Sequence, residues 1–323
     1  MRLPLVALLT AAAVLVPAPN ASAAACTWRP TALPVPTDVS GSTVYATDGH
    51  GIYAGVAERG EYHFVLWKNG KLTDFGNLVG HTSSMHSVDG VNSAGTLVGS
   101  EGVRGHYPVP QALRSTGDKV ELLPGKGISR AYAINEHGDI VGFGSVPDSS
   151  GQNRLLPVRW PADRPGTMEV LPGLPADWLN AAAVDMDADG TVLLSRNLGD
   201  DRPGFLWRNG VVTALPRPAG ATSLSVQAIA GGRVVGSATI SGTQHGVLWD
   251  RDGTITLLPR ANSARDITSS GLIIGEDTAQ RSAVWRLGTF DSELGADAEL
   301  WTAGEDGTIA GRRNGQATYW RCG

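Results

Sequence analysis

Short apolar runs broken by Gly-centred turns recur along this chain, with few segments of helical period. Ala133-Ile134 and Ile140-Val141-Gly142 flank the polar stretch Asn135-Glu136-His137-Gly138-Asp139. This pattern predicts a strand, a tight turn and a second strand. It recurs at 91–99, 185–194, 267–275 and 305–311, with looser copies at 46–55 and 228–236. A second half-unit alternates with it: a strand ending in Trp, a turn, and a strand ending in Leu-Pro. Trp67, Trp160, Trp207, Trp249 and Trp285 end the first of these strands, and Leu113 replaces Trp in the second unit. Lys68-Asn69-Gly70 and Arg208-Asn209-Gly210 supply the turn, since Asn-Gly between apolar runs accommodates the two positive φ angles of a type I′ hairpin. Leu-Pro closes the last strand at Leu123-Pro124, Leu171-Pro172, Leu215-Pro216 and Leu258-Pro259.

Four strands in a period of roughly 36 to 52 residues is the size of a β-propeller blade, and the Gly turns number seven. The expected fold is therefore all-β, a seven-bladed propeller occupying residues 24–323, with the repeated Trp filling space between blades. An open solenoid is the alternative. The two ends of the chain favour the ring. The last unit stops at Tyr319-Trp320-Arg321-Cys322, where other units turn into a fourth strand. Cys26-Thr27-Trp28 leads into Ala32-Leu33-Pro34, the closing pattern of Ala214-Leu215-Pro216. The N-terminal strand is thus predicted to complete the last blade. Aligning Trp320 with Trp207 puts Cys26 and Cys322 together at that blade's missing hairpin, so a disulfide is expected between them.

The 42 Gly and 19 Pro suit a fold of short strands and turns. Residues 1–23 carry Arg2, an apolar stretch from Leu3 to Val16 and the small-residue run before Ala24. This is the form of a secretory signal peptide cleaved after Ala23, and it implies a secreted, extracellular protein. A lipoprotein signal, the alternative, wants a larger aliphatic residue where Ala23 stands. The formal net charge is −5, and loss of Arg2 makes it one unit more negative. That balance gives no reason to expect nucleic acid or an anionic membrane as partner. No second apolar run reaches the length of a membrane span.

Residues 62–76 carry His63-Phe64 followed by Trp67-Lys68-Asn69-Gly70. This segment resembles the HAF-type extracellular repeat family of bacterial proteins, from which it departs at Val65. Gln244-His245-Gly246-Val247-Leu248-Trp249 keeps a fragment of the same pattern. The resemblance implies an exported repeat protein and no particular reaction.

Candidate chemistry is sparse. Asp185-Met186-Asp187-Ala188-Asp189-Gly190 has the start of a calcium loop, but Arg196 stands where a bidentate acid belongs. Asp187 also aligns with Asp48, Asn92, Asn135 and Thr268, a turn-capping position. The histidines, His50, His63, His81, His86, His106, His137 and His245, show no metal-site spacing. There is no Gly-x-Ser-x-Gly nucleophile elbow. Asp185 and Asp266 fall at matching positions, read as near the start of the innermost strand, where they could face the central channel as paired carboxylates. The longer connections are expected on one face of the ring, carrying Arg104, Lys126, Arg130, Arg154, Trp178, Arg260, Arg281 and Arg312, a cationic funnel suited to an anionic or sugar-like ligand.

These features point to a monomeric, non-enzymatic binding module without a cofactor. Its extracellular ligand would be a glycan or a protein, held by Arg130, Trp178, Asp185 and Asp266. A hydrolase or lyase acting on polysaccharide or cell-wall fragments, and a structural envelope protein, are the alternatives.

Overall fold

The computed structural model describes residues 26–78, 86–103, 109–197 and 199–323. The signal segment, His81, Arg104 and His106 lie outside the described residues. Among the described residues, twenty-eight strands form seven four-stranded antiparallel sheets. The first strand, β1 (Trp28–Ala32), is set apart. Blade 1 then follows as β2 (Gly41–Thr47), β3 (Ile52–Arg59), β4 (Glu61–Lys68) and β5 (Lys71–Asp74). Blade 2 is β6 (His86–Val91), β7 (Leu97–Val103), β8 (Val109–Thr116) and β9 (Lys119–Leu122). Blade 3 is β10 (Ser129–Ile134), β11 (Ile140–Pro147), β12 (Asn153–Trp160) and β13 (Glu169–Val170). Blade 4 is β14 (Ala181–Met186), β15 (Val192–Arg196), β16 (Gly204–Arg208) and β17 (Val211–Ala214). Blade 5 is β18 (Ala221–Ala230), β19 (Arg233–Ile240), β20 (Thr243–Trp249) and β21 (Ile255–Leu257). Blade 6 is β22 (Ala261–Ile267), β23 (Leu272–Asp277), β24 (Ser282–Arg286) and β25 (Thr289–Glu293). Blade 7 is β26 (Ala298–Ala303), β27 (Ile309–Arg313) and β28 (Gln316–Cys322), completed by β1 on its outer edge.

The ring therefore closes as the chain ends predict. Trp28 pairs with Cys322 and Ala32 with Thr318 across the β1–β28 ladder. Cys26 and Cys322 form a disulfide with Cα atoms 5.4 Å apart, in place of the hairpin turn that joins these strands elsewhere.

The core consists of apolar clusters between successive blades, such as Phe64, Leu66, Val88, Leu97 and Leu113 between blades 1 and 2. The Trp side chains contribute a specific bond as well as bulk. Trp67 donates its indole N–H to the Pro34 carbonyl, Trp160 to Pro124, Trp207 to Pro172, Trp249 to Pro216 and Trp285 to Pro259. Each Trp is thereby tied to the Leu-Pro end of the preceding blade. Blade 2 lacks the Trp, and blade 1 ends in Phe75-Gly76 instead of Leu-Pro, so this junction lacks both halves of the clamp. Blade 6 ends in Leu294-Gly295; at its junction with blade 7, Trp28 donates to Ser292 Oγ at 2.9 Å.

Connection lengths depart from expectation on both faces. Residues 161–168 form a long link on the face of otherwise short turns, while Gly60 alone joins β3 to β4 on the other.

Candidate functional site

Every inner strand carries a β-bulge at the same place. The register skips one residue between Val44 and Ala46, Val88 and Gly90, Ala131 and Ala133, and Ala183 and Asp185. It does so again between Val226 and Ala228, Ala264 and Asp266, and Leu300 and Thr302. A bulge leaves one residue unpaired and re-aims it. The skipped residues are Tyr45, Asp89, Tyr132, Val184, Gln227, Arg265 and Trp301, and all seven line the axial channel.

The bulge also accounts for the Gly that ends the first half-repeat. A Cβ on Gly142 would stand 1.9 Å from the Arg130 carbonyl oxygen. Gly55, Gly99, Gly236, Gly275 and Gly311 meet the inner strand in the same way. Blade 4 carries the buried Leu194 at this position.

Three connected cavities follow the axis. At the short-turn end, a cavity of about 630 Å³ touches all seven bulge residues together with Asp48, Asp185, Asp187, Asp266 and Glu305. On the long-loop half, one of about 530 Å³ lies beside Tyr45, His86, Arg130, Arg265 and Trp301. A third, of about 650 Å³, spans blades 3 to 5.

Two Arg-aromatic pairs dominate the long-loop half. Arg130 binds Asp89 through both Nε, at 3.1 Å, and Nη2, at 2.6 Å, and covers the Tyr132 ring at 4.7 Å. Asp89 also accepts from Ser87 Oγ at 2.6 Å. Burial pushes the Tyr132 hydroxyl up, so it is a proton donor. Across the channel, Arg265 binds Glu276 at 3.0 Å and lies 4.0 Å over Trp301, whose ring meets Tyr45 edge-on at 5.0 Å.

The third cavity has a framework of its own. Among the described residues, two isolated parallel bridges supplement the blades, Leu155 with Asn180 and Arg202 with Ser225, and all four residues line this cavity. The Arg202 N–H donates to the Leu224 carbonyl at 2.8 Å, and the Leu224 N–H donates back to Asp201 Oδ1 at 2.9 Å.

The residues singled out from the sequence do not form one site. Arg130 lies on inner strand β10, not in a loop, and faces the long-loop half of the channel. Asp185 and Asp266 are the penultimate residues of β14 and β22, so they lie near the end of the innermost strand, not its start. They belong to the short-turn end, away from Arg130. Asp185 accepts from the Met186 N–H at 2.8 Å and from the Ile229 N–H of the next blade at 2.7 Å. Asp266 likewise accepts from Ile267 and, in the next blade, from Ala303 and Thr302. Burial raises both carboxyls, Asp185 to about 7, with further repulsion from Asp266 and Asp187. Trp178 sits in the connection between β13 and β14 but is only 3% exposed, packed 4.9 Å from Phe205, so its ring is core between blades 3 and 4.

The cationic funnel is neutralised in the same manner. Arg154 binds Asp148, Arg260 and Arg281 bind Glu293, and Arg312 binds Glu299. Arg154 and Arg312 lie on strands β12 and β27, not in loops, whereas Lys126 is an exposed loop residue. The three acids of the calcium-like sequence diverge. Asp187 accepts from Gly231 and Gly232 of the next blade, and Asp189 pairs with Arg208. Asp48, Asn92, Asn135 and Thr268 instead cap their own turns.

The bulge ring and Arg202 escaped the sequence reading. The signal for the ring was a contrast within the repeat, one inner-strand position that varies in chemistry directly after a position that is aliphatic in every blade.

No protein-family profile matches the sequence, and no curated protein does. Solved structures match over most of the chain. An oligogalacturonate lyase from Vibrio parahaemolyticus is 12% identical with a TM-score of 0.58, covering 90% of this chain and 92% of that one. The WD40 β-propeller domain of Doa1 is 12% identical with a TM-score of 0.52, over 90% and 97%. A streptogramin B lyase is 13% identical with a TM-score of 0.50, over 92% and 98%. Neighbours this distant and this varied in activity share an architecture only: the chain is a seven-bladed β-propeller closed through its N-terminal strand.

Proposed function

We propose that this protein is an exported binding module that takes its ligand in the long-loop half of the axial channel. The observation that carries this reading is the bulge ring. Positions that build the blades keep one residue type in most blades, whereas the seven that enter the channel comprise three aromatics, an acid, a base, an amide and a Val. Aromatic faces beside fixed polar groups suit the alternating apolar and hydroxyl surfaces of a glycan. Export is supported by the N-terminal pattern and by the Cys26–Cys322 disulfide. The His63-Phe64 and Trp67-Lys68-Asn69-Gly70 segment supports placing the chain with the HAF-type extracellular repeats.

A glycan and cell-wall array with residues 24–323, followed by calorimetry, tests the reading. Trp301→Ala is expected to weaken binding at least about tenfold, a loss of about 1.4 kcal/mol. No binding to any member of the array would overturn the reading, and unchanged affinity in that variant would move the ligand off the Trp301 wall of the channel.

One observation favours the hydrolase or lyase alternative. Asp185 and Asp266 are carboxyls raised by burial beside one cavity, as catalytic acids often are. Their oxygens are nevertheless occupied by backbone N–H groups of neighbouring blades, which makes them staples first. Product formation that disappears in Asp185→Asn would favour the enzyme.

A further inference from the structure

Arg202 differs from the other arginines of the channel. Arg130 is neutralised by Asp89 and Arg265 by Glu276. The Arg202 guanidinium is exposed on the wall of the 650 Å³ cavity, and no carboxylate among the described residues pairs with it. The adjacent Asp201 is committed elsewhere, to Arg217 at 2.5 Å and to the Leu224 N–H. Asp89, the one acid among the described residues of this cavity's wall, is already held by Arg130 and Ser87. Among the described residues the cavity thus carries one uncompensated positive charge, on a backbone pinned by the Arg202–Ser225 bridge.

Its other polar groups are neutral. Asn180 and Asn197 are exposed amides on its wall, Gln227 reaches in from the bulge ring, and Tyr132 offers a protonated hydroxyl and an aromatic edge. A planar guanidinium binds a carboxylate through two parallel N–H bonds. Amides and a phenol satisfy hydroxyls, and an aromatic covers the apolar side of a sugar ring.

From this arrangement we propose that the cavity between blades 3 and 5 binds an acidic saccharide, a sugar carrying a carboxylate, with Arg202 as its anchor. The inference rests on the channel-binding reading above and adds the ligand class. A phosphate or sulfate ester would present a tetrahedral group to a single guanidinium, with no second unpaired cation among the described residues of the wall. The ring hydroxyls of a uronic acid instead match the three amides.

The test compares hexuronate trisaccharides of several linkages with their carboxyl-reduced neutral counterparts. Calorimetry is run on the wild type, Arg202→Gln, Arg202→Lys and Trp301→Ala, with thermal melts confirming that each variant folds. At least one acidic trisaccharide is expected to bind about tenfold or more tightly than its neutral partner. Arg202→Gln should bring that ratio close to one without lowering the melting temperature, and Arg202→Lys should keep part of the preference.

Equal binding of acidic and neutral sugars, weakened by Trp301→Ala but indifferent to Arg202, would overturn the acidic-ligand assignment and leave the channel reading standing. An acid preference that survives Arg202→Gln would remove Arg202 as anchor. Failure of the wild type to bind any of the trisaccharides would overturn the proposal, and would count against the glycan reading of the channel as well.

Discussion

Gly142 stands where inner strand β10 bulges against β11, with no room for a side chain 1.9 Å from the Arg130 carbonyl. Gly142→Ala must push β10 toward the channel and carry Arg130 with it. Denaturant titration should show a loss of about 1 to 3 kcal/mol or more, the range for forcing atoms into a packed site. At Asp185 the physics is electrostatic. Burial lifts its folded-state value to about 7, against about 3.9 for an unfolded Asp. Below about pH 4 both states hold the proton, and between about 4 and 7 only the folded chain does. Stability should therefore fall as pH rises through that window, by at most about 1.4 kcal/mol per pH unit from this group, and level off above it. Asp266, also raised by burial, acts in the same direction. Carboxyls held low, such as Asp148 at about 2 by Ser150 and backbone N–H bonds, act only below the window. Asp185→Asn keeps an acceptor for the Ile229 N–H and should flatten the profile. Urea titrations at pH 4.5, 5.5, 6.5 and 7.5 on both proteins check this, and parallel profiles would refute it. A third expectation concerns metal. Because Asp185, Asp187 and Asp189 point to separate donors, melts with chelator and with calcium should superimpose.

At the scale of elements, the Trp and Leu-Pro marks of the repeat prove to be two halves of one contact. Read along the chain they look like a space-filling ring and a strand terminator. Their bond runs between Trp249 and Pro216, 33 residues apart, and joins neighbouring blades, so no local window contains it. Trp249→Phe keeps most of the apolar bulk and deletes the indole donor. It should cost about 1 to 2 kcal/mol, combining one hydrogen bond with a few lost ring atoms. Leu113→Ala, at the junction that has no such clamp, offers a contrast in which apolar bulk is lost and no donor is. The bulges show the same limit. Period-two alternation describes β10 well enough to predict a strand, yet a single unpaired residue decides that Tyr132 enters the channel and shifts the face of every residue after it. Asp185 and Asp266 follow a bulge directly on strands that run toward the short turn, so they lie at that end of the channel and not at the start of the strand that alternation alone suggests.

The whole molecule is a ring whose closure depends on β1. The Cys26–Cys322 bridge spans 296 positions, and in the loop-entropy model a loop of that length contributes a ceiling of about 5 to 6 kcal/mol. Cys322→Ser should lower the denaturant midpoint, and reductant should lower it in the wild type but not in the variant. Equal midpoints for wild type and variant would show that β1 pairing alone seals the ring. The repeat period, the seven turns and the complementary chain ends were all legible in the sequence, because each blade is a local unit whose turn chemistry and apolar alternation are written within some forty residues. What the channel contains was not. Its lining comes from one bulged residue in each of seven blades, and Arg202 shares a cavity with Tyr132 only because a connection of blade 4 docks on the inner strand of blade 5. Local alternation and turn residues determined the blades, while the site arises from side chains brought together across blade boundaries, which only the closed ring decides.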